Sequence, residues 1–194
     1  MTTVVEARGL GARTRRGWVF RDVDLDVGAG ERVTVTGPAG SGRTSLLLAL
    51  AGCFRTTAGS VRRTGVVALG HVPGVHEPEP ALTVAEHVDE RLLLLGRRRR
   101  KARGTAGILE DLPLDPGTLG RDLDTLGRHL LGLTLAGIAG PAAVVVDDVD
   151  SGLSAVERAR LDEALDALTG HGTAVITAAR ECATGHVLAL EGHR

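Results

Sequence analysis

Apolar and polar residues follow two patterns along the chain, and they predict strands and helices. In TTVVEARGL, WVFRDVDLDV and ERVTVTG the residues are β-branched or alternate between polar and apolar, which predicts three short strands. The continuous apolar runs AAVVVDD and GTAVITAA are typical of strands buried on both faces of a parallel sheet, and HVLALEG predicts an edge strand. The segments TSLLLALAG, LTVAEHVDERLLLL, RHLLGLTLAGIAG and SAVERARLDEALDALTG predict helices between these strands.

Strands that alternate with helices predict an α/β fold, preceded here by a strand-rich N-terminal part. The 194 residues suit one domain, and the net charge of -1 gives no indication of a nucleic-acid partner. MTTVVEARGL lacks the features of a signal peptide, and no stretch approaches the ~18 apolar residues of a membrane span, so we expect a cytosolic domain. Cys53 and Cys182 match no metal-ligand spacing, and we expect both to be small core residues.

A glycine-rich segment, GPAGSGRTS, lies between a predicted strand and a predicted helix. Gly37, Gly40 and Gly42 allow backbone N–H groups to close around phosphates, and the positive end of the following helix favours an anion. The Thr44 hydroxyl is expected to hold Mg²⁺. The alternative is a glycine-rich turn that only leads into the helix. The predicted phosphate-binding loop consists of Gly37, Pro38, Ala39, Gly40, Ser41, Gly42, Arg43, Thr44 and Ser45.

Two acids end the buried strand VVVDD. Asp147 is placed to bind Mg²⁺ through water, together with Thr44, and Asp148 is a candidate catalytic residue that orients an attacking water. The alternative is a pair of acids that cap the next turn.

With these motifs, the chain resembles the ATP-binding cassette (ABC) family, the nucleotide-binding subunits of ABC transporters. The resemblance covers nearly the whole length and rests on VFRDVDLDVGAGERVTVTGPAGSGRTSLLLALAGCFRTTAGSV, LTVAEHV, GPAAVVVDDVDSGLS and HVLALEGHR. It implies a P-loop NTPase fold of ABC type with an N-terminal antiparallel β part. It also implies one domain, residues 1–194, with a reduced helical subdomain at approximately 75–130.

The same resemblance implies ATP and Mg²⁺ as cofactors and two kinds of partner. One partner is a second cassette, as a homodimer or a heterodimer, in which each ATP site combines one subunit's P-loop with the other's LSGGQ signature. The other partner is a membrane-spanning permease. The implied location is therefore the cytoplasm, peripheral on the inner face of the cell membrane.

Several positions depart from the family pattern. Arg43 replaces the P-loop lysine, and Asp148 replaces the catalytic glutamate. The shorter Asp148 places its carboxylate on the order of 1 Å short, a misplacement that can cost ~100-fold in rate. Gly74 stands at the position of the glutamine that senses Mg²⁺, and Ala178 stands at that of the switch histidine.

Two recognition segments also depart from the pattern. The signature aligns with DTLGR, Asp124 to Arg128, where Gly127 is retained and Thr125 offers a hydroxyl in place of serine. The aromatic residue that stacks on adenine aligns near Thr14; Trp18 either substitutes for it or only packs in the core. The basic run RRRRKAR, residues 97–103, suits anionic lipid headgroups, but a solvated face is the favoured interpretation.

Three functions stay open at this point. The first is an ABC-type subunit that binds Mg-ATP with weak or absent hydrolysis. The second is a hydrolytically active ABC ATPase, since Arg43 and Asp148 preserve charge. The third is an interaction scaffold that no longer binds nucleotide.

Overall fold

A computed structural model describes residues 2–96, 104–181 and 186–191 of the chain. The basic run at 97–103 and Cys182 lie outside these residues. The described strands are β1 (Thr3–Thr14), β2 (Gly17–Gly28), β3 (Arg32–Thr36), β4 (Ala58–Arg63), β5 (Val67–Leu69), β6 (Ala143–Val146), β7 (Ala174–Ala179) and β8 (His186–Ala189). The described α-helices are α1 (Arg43–Ala51), α2 (Val84–Leu95), α3 (Thr105–Leu109), α4 (Thr125–Ile138) and α5 (Ala155–Gly170).

The strands form two sheets, as the α/β prediction with an N-terminal antiparallel part requires. One is antiparallel, with the order β2-β1-β4, and the other is parallel, with the order β5-β6-β7-β3-β8. Every residue of β6 and β7 is buried, which confirms the prediction from their continuous apolar runs. β8 lies at the edge of its sheet, also as predicted.

The helices pack on both faces of the parallel sheet. On one face, α1 and the antiparallel sheet share a core that contains Phe20, Leu46 and Leu47. On the other face, α4 and α5 bury Leu131 and Leu161 against the strands. No helix among the described residues is long and apolar enough to cross a membrane; the longest, α5, has 16 residues.

Side-chain caps define where three helices begin. Ser154 and Glu157 form the capping box of α5. Thr83 and Glu86 form the same arrangement at α2. Asp124 caps α4, so this helix begins at Thr125 and not at Arg128, where its apolar pattern becomes regular.

Cys53 is exposed, so its predicted place in the core is wrong. The helix α1 ends at Gly52, which adopts a left-handed conformation with φ 83°. The chain therefore leaves the core immediately after the helix, and Cys53 lies on the outer turn.

Two buried histidines lie side by side between β5 and α4. The rings of His71 and His129 meet edge to face with centroids 4.8 Å apart, and the Nδ1 atoms of both have no hydrogen-bond partner within the described structure. Burial lowers the pKa of His71 and lowers that of His129 to about 3. The charged or titratable groups facing His71 are Glu77, Arg128 and His76. Both rings are therefore neutral in the folded protein at neutral pH.

This neutral pair predicts a loss of stability in mild acid. Unfolding releases His129 to an ordinary pKa, so the unfolded chain binds a proton below about pH 6.5 that the folded chain excludes. The free energy of unfolding should fall by about 1.4 kcal/mol per pH unit for this residue as pH drops below that value. Urea unfolding of wild type and His129→Leu at pH 7.5 and 5.5 (about one unit either side of the unfolded pKa) measures the difference.

The variant should show the weaker dependence on pH. Leu131→Ala is the control, because it opens a cavity in the same helix without removing a titratable group. It should lower stability equally at both pH values. An unchanged pH dependence in His129→Leu would contradict the assignment.

Candidate functional site

The predicted phosphate loop lies at the carboxyl end of β3 and leads directly into α1. Its backbone requires glycine at two positions. A Cβ on Gly37 would lie 2.7 Å from the Leu190 carbonyl oxygen, and one on Gly42 would lie 2.2 Å from the Val19 carbonyl oxygen. Gly40 also has positive φ, 82°, but faces open space. Gly37 and Gly42 thus let the loop lie close against its neighbours.

The N-terminus of α1 has no side-chain cap and no acidic residue in its first turn. By contrast, α2, α4 and α5 are each capped by a side chain, from Thr83, Asp124 and Ser154 respectively. The first-turn N–H groups of a helix have no partner within the helix, and its dipole is positive at this end. The start of α1 therefore fits an anion such as a phosphate group.

Thr44 and Asp147 meet although they are 103 residues apart in sequence. The Thr44 hydroxyl donates a hydrogen bond to Asp147 Oδ2, and Asp147 is only 2% exposed. The pKa of Asp147 is raised above its usual value because the carboxyl is buried, and the hydrogen bond from Thr44 offsets only part of this shift. A hydroxyl and a buried carboxylate side by side are oxygen ligands of the kind that Mg²⁺ prefers, so this pair fits the predicted metal.

Arg43 points into its own loop. Its Nη1 donates to the carbonyl oxygens of Gly37 and Pro38, the latter at 2.9 Å. Its Nη2 lies 3.6 Å from Asp148 Oδ1, and only 9% of the Arg43 side chain is exposed. The loop cation is therefore held by two carbonyls and a carboxylate.

Asp148 has a strained backbone at the end of β6. Its φ is 49°, an uncommon value for a residue other than glycine and one that is concentrated at functional sites. Its N–H donates to Asp147 Oδ1 at 2.9 Å, and its carboxylate pairs with Arg43. The candidate catalytic carboxylate is therefore engaged with the loop arginine.

The two positions that align with the glutamine that senses Mg²⁺ and with the switch histidine carry no polar side chain. Gly74 is exposed, has φ 72° and donates its N–H to Glu77 Oε1 at 2.7 Å. Ala178 is fully buried in β7. Gly74 has no side chain and Ala178 has only a methyl group, so neither residue can sense a metal or act on a phosphate through a side chain.

The segment aligned with the signature is the capped start of α4. Asp124 Oδ1 accepts a hydrogen bond from the Gly127 N–H at 2.7 Å, and Leu126 is buried in the core. The side chain of Thr125 lies near Gly152, where a Cβ would be 3.4 Å from Thr125 Oγ1. An acid thus occupies the end of α4 that would otherwise attract an anion. The preference of aspartate for N-caps is the sequence signal that identifies this arrangement.

The β1–β2 hairpin contains the two residues considered for adenine stacking. Thr14 Oγ1 donates to the Gly17 carbonyl at 3.3 Å and so helps to close the turn. Trp18 is half-buried and contacts both Gly11 and Arg13.

The loop geometry predicts different effects of alanine at two glycines. Both Gly42→Ala and Gly40→Ala incur the left-handed backbone penalty of about 1 kcal/mol. Only Gly42→Ala places a methyl group against the Val19 carbonyl, so it should be the more destabilising by at least about 1 kcal/mol. Urea unfolding of the two variants measures this, with Gly40→Ala as the matched control. Equal destabilisation would contradict the close contact between loop and strand.

Comparisons with known proteins agree with this architecture. The family profile described as "ABC transporter" matches residues 20–168. An ABC transporter ATP-binding protein of Streptomyces coelicolor is 33% identical over 204 aligned positions, which cover 96% of this chain and 36% of that protein. The zinc import ATP-binding protein ZnuC of Alkalilimnicola ehrlichii is 35% identical over 153 positions, covering 78% of this chain and 58% of the relative. The chain thus spans less than two thirds of the length of either relative.

Solved structures show the same fold. The dimeric bacterial ABC transporter cassette MJ0796 matches with a TM-score of 0.81 and 17% sequence identity, covering 97% of this chain and 94% of that one.

Proposed function

Because this chain belongs to the ABC transporter family, we propose that it is a nucleotide-binding subunit that binds Mg-ATP and hydrolyses it weakly or not at all. One contrast carries the proposal. The uncapped start of α1 and the contact between Thr44 and Asp147 support binding of phosphate and Mg²⁺. The candidate catalytic carboxylate, Asp148, instead lies beside the loop arginine, Arg43.

Binding rests on the backbone more than on side chains. The uncapped N–H groups of residues 43–45, together with Gly40 and Gly42, would hold the phosphates. The Thr44 hydroxyl and the Asp147 carboxylate would hold Mg²⁺, which neutralises phosphate charge when bound. These contacts favour a nucleotide-binding function over a scaffold without nucleotide.

Weak hydrolysis follows from the residues that would act on water. Arg43 Nη2 lies 3.6 Å from Asp148 Oδ1, so its charge competes with a water for this carboxylate. Gly74 and Ala178 contribute no polar side chain. Loss of general acid–base help alone typically costs ~10²–10⁴ in rate, so turnover by this chain alone should be slow.

A membrane-spanning permease is the proposed transport partner, and one groove with exposed apolar residues and a mixed polar and apolar lining suits it. A groove of about 420 Å³ lies between β5, α2 and α4, with Leu94 and Val66 at its rim, 75% and 63% exposed. Its lining includes His71, whose carbonyl oxygen accepts the Asp147 N–H at 3.0 Å. A cytoplasmic segment of a permease seated here would therefore contact the backbone that positions the metal-binding acid. The proposed location, through this partner, is therefore the inner face of the membrane.

A second, different cassette is the proposed nucleotide-binding partner. The resemblance to ABC subunits implies that each ATP site is completed by the signature segment of the opposite subunit. Here that segment presents the Asp124 carboxylate, which would repel a triphosphate. Two copies of this chain would therefore close poorly around ATP, and a partner with a neutral helix end at this position would close better.

Isothermal titration calorimetry with Mg-ATP tests the binding claim. Wild type should bind, and Thr44→Val should bind about 10–100-fold more weakly, because a hydrogen bond to a charged group contributes ~1.5–3 kcal/mol. Thr44→Ser keeps the hydroxyl and should stay within about threefold of wild type. Absence of wild-type binding in the millimolar range, or equal affinity of all three proteins, would contradict the proposed site.

Light scattering with saturating Mg-ATP tests the role of Asp124. Wild type should remain monomeric, whereas Asp124→Asn, which keeps the cap and removes the charge, should form ATP-dependent dimers. Asp122→Asn removes an exposed acid nearby and is the matched control; it should remain monomeric. ATP-dependent dimers of wild type, or none of Asp124→Asn, would show that the carboxylate does not decide the partner.

A further inference from the structure

A second groove, of about 1010 Å³, lies between α4, α5 and the segment that follows α3. Its lining extends along α4 from Leu126 to Ile138, a distance of about 18 Å, which is more than three helical turns. None of its described lining residues belongs to the phosphate loop or to the smaller groove beside β5. It is therefore separate from the surfaces proposed for phosphate and for the permease.

The helices α4 and α5 run in the same direction along this groove. A Cβ on Gly152, just before α5, would lie 3.4 Å from Thr125 Oγ1 at the start of α4. A Cβ on Gly137, near the end of α4, would lie 3.9 Å from Leu168 Cδ2, near the end of α5. Small residues from both helices, including Gly137 and Ala164, line the groove, so a third helix can approach them closely.

Apolar side chains form most of the lining, and they come from two parts of the core. Leu92 and Ile108 belong to the small apolar cluster beside α2, whereas Leu126, Leu130 and Leu133 belong to the main cluster beneath α4. Among the described lining residues there is no Phe, Tyr or Trp. Aliphatic side chains of a ligand would therefore be removed from water against both clusters, which favours association.

Carboxylates outnumber cations along this groove. Asp111 and Asp124 lie on the side of α3 and the start of α4, and Glu163 lies on α5. Arg160, one turn before Glu163, is the only arginine or lysine of the described lining. All four side chains are exposed, so the groove favours a ligand that carries positive charge beside its apolar part.

We propose that this groove binds a basic amphipathic helix of a partner protein. Such a helix carries an apolar stripe at positions i, i+3, i+4 and i+7, which suits a straight aliphatic groove, and its flanking lysines or arginines would face the carboxylates. The chain's own basic run, RRRRKAR at 97–103, has no apolar residue larger than alanine and does not match the lining. The inference goes beyond the proposed function and does not depend on nucleotide.

Fluorescence anisotropy with two labelled peptides tests the inference on the full chain. The first probe is a helical peptide of about 16 residues with a leucine stripe and flanking lysines. The second has glutamates in place of the lysines. The basic peptide should bind and lose affinity as salt is added, and the acidic peptide should bind at least about tenfold more weakly.

A matched pair of variants locates the binding surface. Ala167 and Ala159 are both exposed on α5, but only Ala167 lines the groove. Ala167→Leu should weaken the basic peptide at least about tenfold, because its side chain fills space that the peptide needs. Ala159→Leu should stay within about twofold of wild type. Thermal unfolding of both variants checks that the fold is retained.

Glu163→Lys tests the charge of the groove without filling it. It should weaken the basic peptide about threefold to tenfold and strengthen the acidic one, because it replaces an attraction with a repulsion. A merely structural effect of the substitution would weaken both peptides, and that result would overturn the proposed charge match.

The remaining outcomes separate this inference from its alternatives. Absence of wild-type binding to the basic peptide, equal affinity for both peptides, or equal effects of the two alanine variants would overturn it. Self-association of wild type without peptide, lost in Ala167→Leu, would assign the groove to a second copy of this chain instead. Thr44→Val should bind the basic peptide as wild type does, so failure of the nucleotide site and failure of the groove are distinguishable.

Discussion

The contact between Thr44 and Asp147 is the interaction on which the site depends. It joins the first turn of α1 to the end of β6, and so fixes the phosphate loop to the parallel sheet. The strand order places β6 next to β7 and β7 next to β3, which leads into the loop. Hydroxyl, carboxylate and uncapped helix end therefore meet at one edge of the sheet, where a magnesium-bound phosphate can be held.

A positive and a negative side chain, Arg43 and Asp148, lie beside this contact. Their arrangement affects binding and catalysis differently. Arg43 keeps a cation in the loop, yet the cation is held by the carbonyls of Gly37 and Pro38 and by Asp148. Backbone N–H groups at the start of α1 do not depend on this pair. We therefore propose that this geometry keeps affinity for a nucleotide while Arg43 competes with water for the Asp148 carboxylate.

The sequence predicted what local patterns encode. Continuous apolar runs identified β6 and β7. The glycine spacing predicted the phosphate loop with Thr44, and the acids that end VVVDD predicted Asp147 as its neighbour. Contacts that depend on the three-dimensional arrangement were missed. The Arg43–Asp148 pair and the His71–His129 pair join segments that are distant in sequence, and the Asp124 cap was hidden because the apolar pattern of α4 becomes regular only later. The exposure of Cys53 likewise follows from the turn at Gly52 and not from residue type.

The central proposal is that this chain binds Mg-ATP and hydrolyses it weakly or not at all, and the state of the bound nucleotide tests it most directly. Purified protein is incubated with Mg-ATP, separated from free ligand, denatured, and the released nucleotide is quantified by ion-exchange chromatography. The account predicts that nucleotide is recovered in proportion to protein and is predominantly intact ATP. Recovery mainly as ADP, at a rate well above that of protein-free ATP, would show that Asp148 acts in catalysis despite its pairing with Arg43, and would contradict the account.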